Sequence, residues 1–199
     1  MPTIVIATSN PGKVHEYRTM FGHRGFEVKS LLDFKKSEVP TIVENGHSFE
    51  ENATIKCKKI MNWLHIPVLG DDSGLEVKAL NNAPGIYSAR YAGDHNDLAN
   101  QWKLLYYLKG QKNRQAQFVT CLVFLKPDGT KIVAKGIVKG EILTKKIGHD
   151  GFGYDPLFYY PKLKKSFAQL TTDEKDAISQ RGRAARSMLK KLQQAKILN

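Results

Sequence analysis

The chain has 199 residues, 41% of them hydrophobic and 25% charged, which is the composition of a globular protein long enough to bury a core. Its formal net charge of +12 suits polyanionic partners, whether nucleic acid, a membrane surface or a phosphate-rich small molecule. No apolar run approaches the ~20 residues that a membrane helix needs, and the start of the chain carries no export signal. We therefore expect a single cytoplasmic domain, residues 1–199, with no membrane partner, and its two cysteines imply no disulfide framework.

The first segment predicts a strand, a turn and a helix. Residues 3–7 are a compact β-branched run typical of a strand, and Val14, Tyr17 and Phe21 then recur at helical spacing. Six residues between these elements are candidate phosphate ligands: Thr8, Ser9, Asn10, Pro11, Gly12 and Lys13. The turn is not a Walker loop, but it offers hydroxyl and amide donors, a helix N-terminus and a lysine charge. We favour phosphate binding over the alternative, a capped helix whose Pro and Gly only shape its entry.

A second strand and a second helix follow. Residues 27–31 have the pattern of a strand. Ser48 and Glu51 form a capping box, Ser-x-x-Glu, which predicts a helix from residue 49 to about residue 64. Glu44 lies in the loop before this helix, where neither capping nor the helix dipole explains a carboxylate, so it is our candidate for a metal ligand.

Two adjacent carboxylates mark the most informative stretch of the sequence. Residues 66–69 form an apolar run typical of a buried strand, which we expect to end at Asp71, Asp72 and a Ser-Gly turn. Two neighbouring carboxylates in a dry cleft do not both ionise cheaply unless a cation lies between them, and hard oxygen ligands suit Mg²⁺. We therefore predict a metal or general-base site at a strand end. The alternative is a plain strand-to-turn exit, where Asp, Ser and Gly are common.

The second half of the chain predicts a helix, a hairpin and a final helix. Residues 94–109 look helical, and the strands 116–125 and 131–142 are joined by a Pro-Asp-Gly turn. A capping box, Thr-Thr-Asp-Glu at residues 171–174, predicts one final helix that runs to about residue 195. Much of the positive charge lies in that helix, and an exposed basic helix face is more often solvated than used for binding.

Two basic residues of the final helix are candidate ligand contacts. Lys175 and Arg181 are six positions apart, which is ~120° around a straight helix, so they would not point at one atom. If both contact a ligand, either they reach different parts of it or the helix begins later than residue 175.

A glycine-rich loop over residues 145–155 precedes that helix. Gly151 and Gly153 allow the backbone to approach a ligand closely, and Phe152 and Tyr154 offer flat faces on which a base can stack. The alternative is a tight loop with core aromatics, and the loop alone does not decide between the two.

Taken together, these segments resemble one family, the Ham1/RdgB-like inosine triphosphate pyrophosphatases. The matching stretches occur in family order and span nearly the whole chain. They are residues 7–13, 48–53, 70–77 continuing into 83–93, and 151–158 together with 174–182.

The resemblance implies Mg²⁺-dependent hydrolysis of nucleoside triphosphates to the monophosphate and pyrophosphate, with a preference for deaminated purine nucleotides (ITP, dITP and XTP). The implied fold is α/β, with a long mixed central sheet flanked by helices that form two lobes around a nucleotide-binding cleft, usually in a homodimer. By matching position, the 8–13 turn holds the triphosphate, Asp72 is the proton acceptor and a metal ligand, and Ser73 contacts the substrate. The residues implied for the nucleoside are Phe152, Gly153, Tyr154, Asp155, Lys175, Gln180 and Arg181.

The chain departs from the family pattern at two places. The family usually has Ser-His-Arg where this chain has Ser179, Gln180 and Arg181, and a glutamine neither carries a charge nor stacks as an imidazole does. Base selectivity is therefore in question, whereas the hydrolytic step is not. Family members often have two acidic residues where this chain reads Val43 and Glu44, so the second metal ligand is less defined than Asp72.

Two other classes of function compete with this interpretation. A non-enzymatic nucleotide or nucleic-acid binder would explain the net charge but not the paired carboxylates, which repel phosphates unless a metal intervenes. A phosphatase that releases single phosphates would also need a divalent metal between the paired carboxylates and the phosphates. We expect no stable nucleic-acid partner.

Overall fold

A computed structural model of the protein describes residues 3–198 and contains one seven-stranded sheet. The strands are β1 Thr3–Ile6, β2 Glu27–Ser30, β3 Val68–Val77, β4 Gln115–Leu125, β5 Lys131–Ile142, β6 Phe158–Tyr160 and β7 Lys165–Ser166. The helices are α1 Pro11–Gly22, α2 Phe49–Leu64, α3 Asp97–Tyr107, α4 Thr172–Ile178 and α5 Gln180–Gln194. No helix within residues 3–198 is long and apolar enough to cross a membrane.

The sheet is mixed, with the order β2-β1-β3-β4-β5-β6-β7. Strand β1 is parallel to both of its neighbours, since Ile4 pairs with Val28 of β2 and Val5 pairs with Val68 of β3. The β5–β6 and β6–β7 pairs are antiparallel. Parallel neighbours need helical crossovers, and α1 and α2 provide them. The expected α/β class with a long mixed sheet flanked by helices is confirmed.

The chain divides into two compact units, which are described separately. The first contains residues up to 72, residues 120–136 and the segment from residue 181 onward. Successive side chains along its strands point to opposite faces of the sheet, and both faces are apolar. Ile4 and Ile6 pack in the cluster that contains α1 and α5, whereas Val5 and Ala7 pack in the cluster that contains α2.

The second unit contains residues 73–119 and 137–180. Its core is aromatic: the Phe158 ring centroid lies 4.4 Å from that of Phe118 and 4.8 Å from that of Phe167. Helix α3 contributes buried leucines to the same cluster.

Two element predictions are wrong. Strand β3 continues through the Asp-Asp-Ser-Gly stretch, so there is no turn after Asp72. Asp, Ser and Gly disfavour strands, but β3 lies between β1 and β4 in the sheet, and tertiary pairing overrides the local preference. The final helix is also interrupted, because Ser179 adopts an extended conformation (φ −63°, ψ 160°) between α4 and α5. The straight-helix argument for Lys175 and Arg181 therefore does not apply.

Candidate active site

A side-chain cap closes the predicted phosphate turn at the N-terminus of α1. Oδ1 of Asn10 accepts hydrogen bonds from the N–H groups of Gly12 (2.9 Å) and Lys13 (3.2 Å). Oγ1 of Thr8 accepts from the Asn10 N–H (3.2 Å). Three amides of the turn are thus already bonded, as in the capped-helix alternative, and the charge that the turn offers is that of the Lys13 side chain. The exposed members of the turn are Ser9 and Pro11.

Asp71 is fully buried, and its carboxylate is surrounded by two cationic side chains and a tyrosine hydroxyl. Its two carboxylate oxygens accept short hydrogen bonds, one from Lys13 Nζ and one from the Tyr17 hydroxyl. Arg181 Nε lies 3.6 Å from Asp71 Oδ2. Burial disfavours the carboxylate, but the charges of Lys13 and Arg181 outweigh it and hold the pKa of Asp71 well below its usual range.

Asp72, the next residue, faces different neighbours. Its Oδ2 accepts from Asn52 Nδ2 (3.2 Å), and its Oδ1 lies 3.3 Å from Lys56 Nζ. The same ammonium lies 2.8 Å from Oε2 of Glu44. Burial raises the pKa of Asp72 to about 6, and Glu44 and Asp71 add to the rise while Lys56 opposes it.

The two adjacent carboxylates therefore differ in ionisation. Asp71 is a permanent anion that holds the Lys13 ammonium in place, whereas Asp72 is a carboxylate that takes up a proton near neutral pH. A group with a pKa near the working pH is suited to general-base chemistry. The sequence prediction that only one of the pair ionises easily is consistent with this arrangement.

Arg181 lies in the first unit with these groups. It forms a buried ion pair with Glu16 through Nη1, and Glu16 and Asp71 keep the pKa of the guanidinium raised in spite of its burial. The predicted contact of Arg181 with a base remains a prediction. The structure gives the guanidinium a second role, which is to fix the charge state of Asp71.

The predicted metal ligands, Asp72 and Glu44, converge on one ammonium, that of Lys56. No group of three or more His, Cys, Asp or Glu side chains that could hold a metal occurs among the described residues. Mg²⁺ is commonly bound by only one or two carboxylates together with substrate phosphates, so a two-carboxylate set fits this ion. The raised pKa of Asp72 also fits a metal site, because a further cation beside this carboxylate would stabilise its ionised form.

The predicted nucleoside loop lies in the second unit. Asp155 Oδ2 accepts from the Phe152 N–H (3.0 Å) and from Lys175 Nζ (2.7 Å). Lys175 Nζ also lies 4.6 Å from the centroid of the Phe152 ring, a cation–π distance. The Tyr154 hydroxyl donates to the backbone carbonyl of Ser88 (2.8 Å), so Tyr154 is a core residue, as the alternative for this loop required.

The remaining predicted residues occupy different environments. Ser73 is half-buried on β3. Gln180 is only 4% exposed, and its Oε1 is buried and accepts no hydrogen bond within residues 3–198. Their contacts with a substrate remain predictions.

Sequence reasoning missed several residues that the structure places in the first unit's site. Asn52 and Lys56 are four positions apart on α2, and Tyr17 follows Lys13 by four on α1. This spacing puts each pair on one helix face, which is the signal that could have found them. Glu16 is paired with a residue 165 positions away, and no local pattern reveals such a contact.

Comparison with known proteins identifies close relatives over the full fold. The model of the Ham1 family matches residues 4–191. A dITP/XTP pyrophosphatase of Lactiplantibacillus plantarum is 48% identical over 191 residues, covering 95% of this chain and 94% of the relative. A dITP/XTP pyrophosphatase of Exiguobacterium sp. is 47% identical over 186 residues, covering 93% of this chain and 94% of the relative.

Solved structures agree with these matches. The Ham1 protein of Staphylococcus aureus superposes with a TM-score of 0.85 at 42% identity, covering 98% of this chain and 99% of that one. A HAM1 protein of Coxiella burnetii gives a TM-score of 0.87 at 35% identity, covering 98% of this chain and all of the other.

Proposed function

Since the chain belongs to the Ham1 family, we propose that it is a nucleoside-triphosphate pyrophosphatase that hydrolyses deaminated purine nucleotides (ITP, dITP and XTP) to the monophosphate and pyrophosphate. The observation that supports this most is the contrast between Asp71 and Asp72 in the first unit. One carboxylate fixes Lys13, the cationic residue of the predicted phosphate turn, and the neighbouring carboxylate has a pKa raised to about 6, which suits it to accept a proton.

The charge balance of the site supports a requirement for Mg²⁺. A triphosphate carries about four negative charges, and its transfer chemistry depends mainly on positioning and charge neutralisation. The three cations of the cluster are each already paired, Lys13 with Asp71, Lys56 with two carboxylates, and Arg181 with Glu16. A polyphosphate therefore needs a further cation, and Asp72 and Glu44 are the residues that would hold it. Mg²⁺ held by these two carboxylates would supply the positive charge that neutralises the phosphate oxygens.

The protein's own residues supply the remaining steps. The Lys13 ammonium donates hydrogen bonds to the phosphate tail, and Asp71, which accepts from the Tyr17 hydroxyl, holds that ammonium in position. Asp72 removes the proton from the water that attacks the α-phosphorus, and pyrophosphate leaves. Asn52 donates to Asp72 and keeps its carboxylate oriented. A positioned general base of this kind contributes about 10²- to 10⁴-fold.

The second unit offers a nucleoside subsite. Lys175 lies over one face of the Phe152 ring, and the other face is the one on which a base would stack. Deaminated purines present a 6-oxo acceptor where adenine presents a 6-amino donor. A site built around a required hydrogen bond rejects the analogue that lacks it by roughly 10⁴-fold.

An exposed aromatic face supports a homodimer. Leu98, Trp102 and Tyr106 follow one another at intervals of four on α3 and are 67%, 69% and 62% exposed. The Trp102 and Tyr106 rings are stacked, with centroids 5.6 Å apart. The three side chains expose roughly 400 Å², about half of the ~800 Å² that one partner contributes to a standard interface. The largest apolar patch on a single chain is commonly of this size and is often functional.

The dimer is tested by light scattering on the eluting protein. Trp102→Glu should convert a dimer to a monomer, whereas Leu163→Glu, at an exposed leucine elsewhere in the second unit, should leave the mass unchanged. A wild-type protein that elutes as a monomer at micromolar concentration would exclude the dimer.

One assay distinguishes the proposed pyrophosphatase from the two alternative functions, a phosphatase and a nucleic-acid-binding protein. The protein is incubated with dITP, dATP or dGTP, with Mg²⁺ or with EDTA, and pyrophosphate and phosphate are measured separately. We expect pyrophosphate from dITP with Mg²⁺ and little product from dATP. Release of single phosphates would instead assign a phosphatase, and salt-sensitive binding of nucleic acid without turnover would assign a binding protein.

A further inference from the structure

Helix α3 holds the nucleoside loop through both backbone groups of one residue, Gly153. The Gly153 N–H donates to Oδ2 of Asp97 (2.7 Å), and its carbonyl accepts a short hydrogen bond from Nε2 of Gln101. Asp97 and Gln101 are four positions apart and therefore lie on one face of α3. We infer that Asp97 and Gln101 are positioning residues for the loop that presents Phe152 to the nucleoside.

The loop is attached at its other side as well. Asp155 accepts from the Phe152 N–H and from Lys175 of α4, so Phe152 lies between an attachment to α4 and the attachment of Gly153 to α3. Gly153 has a φ of +62°, which glycine adopts without steric cost, and both backbone groups of this conformationally free residue are bonded to α3. The two attachments together fix the orientation of the Phe152 ring.

The buried amide of Gln101 indicates that its hydrogen bond to Gly153, and not packing alone, accounts for a glutamine at this position. The residue is 6% exposed, and its Oε1 is buried with no hydrogen-bond partner among the described residues. A buried amide with an unsatisfied oxygen lowers stability, and an apolar side chain of similar size would avoid that cost. The hydrogen bond that the amide makes in return is the one to Gly153.

An acidic residue at position 97 can also be explained by the helix dipole alone, and the experiment must distinguish that effect from the bond to Gly153. It lies in the first turn of α3, where a negative charge favours the helix regardless of Gly153. Asp97→Asn removes the charge but keeps an oxygen that can accept from the Gly153 N–H, whereas Asp97→Ala removes both. Asn96→Ala is a matched control, because Asn96 caps α3 through the Ala99 N–H (3.0 Å) without contacting Gly153.

The experiment has two readouts, and the kinetic one rests on the proposed function. Steady-state kinetics with dITP should show KM raised about tenfold in Asp97→Ala and in Gln101→Met, with kcat within twofold of wild type, because neither side chain belongs to the group of charged residues around Asp72. Asp97→Asn and Asn96→Ala should keep KM within about twofold. Hydrogen exchange of the peptide that contains residues 151–155 should be faster in Asp97→Ala and Gln101→Met only.

The outcomes separate this inference from the activity itself. Unchanged exchange and unchanged KM in Asp97→Ala and Gln101→Met would overturn the positioning role, as would a KM rise of the same size in Asn96→Ala. If the wild type does not hydrolyse dITP, the proposed function fails, and the exchange measurement still decides whether α3 holds the loop.

Discussion

Asparagine substitutions at Asp71 and Asp72 are expected to change stability in opposite directions although the two residues are adjacent. The two changes are chemically identical and nearly isosteric. Asp71 is an anion surrounded by Lys13, Tyr17 and Arg181, whereas Asp72 is a carboxylate whose ionised form is disfavoured. The comparison therefore tests the central feature of the site.

The loss at Asp71 follows from breaking a buried ion pair. Removing one partner of such a pair leaves an uncompensated charge and costs about 3–5 kcal/mol. For a protein of this size each kcal/mol lowers Tm by about 2–4 °C, so Asp71→Asn should lower Tm by roughly 6–20 °C.

The effect at Asp72 has the opposite sign. A pKa of about 6 in place of 3.8 means that the ionised form costs about 3 kcal/mol in the folded, metal-free protein. Because the unfolded chain ionises first as pH rises, this cost is absent below pH 3.8, grows between pH 3.8 and 6, and is complete above pH 6. In EDTA at pH 7, Asp72→Asn should therefore keep or raise Tm, and its advantage over the wild type should vanish by pH 4.

The assays are thermal denaturation in EDTA at pH 7 and pH 4, and pyrophosphate release from dITP with Mg²⁺. Asp72→Asn should lose turnover by about 10²- to 10⁴-fold while remaining folded. Near-normal turnover in Asp72→Asn would remove this residue from the role of base. A fall in Tm of similar size in both variants would refute the contrast between the two carboxylates.

Three further predictions concern the first unit. Burial raises the pKa of Cys57 to about 12 and that of Cys121 to about 11. Neither thiol should therefore react with a disulfide reagent at pH 8 until the protein is denatured. The free energy of unfolding should fall as pH rises above about 9, because only the thiols of the unfolded chain ionise there. Gly70→Ala should lower Tm and expression of soluble protein, because the added Cβ would lie 2.3 Å from a backbone carbonyl oxygen of α2; a variant as stable as wild type contradicts the packing described. Arg181→Met should destabilise by about 3–5 kcal/mol in chemical denaturation, since it leaves Glu16 buried without its cation, and adding Glu16→Gln should recover part of the loss.

Sequence patterns were sufficient for most elements because their signals are local. The Ser-x-x-Glu pattern at Ser48 and Glu51 marks the start of α2: the Ser48 hydroxyl accepts from the Glu51 N–H, whereas the Glu51 carboxylate accepts from the His47 N–H in place of the Ser48 N–H of a full capping box. Strand β3 and the break at Ser179 were missed because neighbouring strands and tertiary packing, rather than local preference, decide them.

The candidate site shows the same division. Lys13 and Asp72 were each predicted as site residues from local patterns, and the structure joins Lys13 to Asp71, the neighbour of Asp72. The ammonium of Lys56 between Glu44 and Asp72 was not expected, since α2 contains several lysines and only the four-residue spacing from Asn52 distinguishes this one. Long-range pairing determines the ionisation of each carboxylate, and periodicity along the chain contains no information about it.

The ion pair between Glu16 and Arg181 joins the two ends of the polypeptide, and it has a consequence for biosynthesis. Arg181 belongs to the last segment of the first unit, so during translation Asp71 and Lys13 emerge from the ribosome long before the guanidinium that completes their surroundings. Domains generally fold as units once their segments are available. A nascent chain of this protein therefore cannot complete the surroundings of Asp71 until α5 has been synthesised.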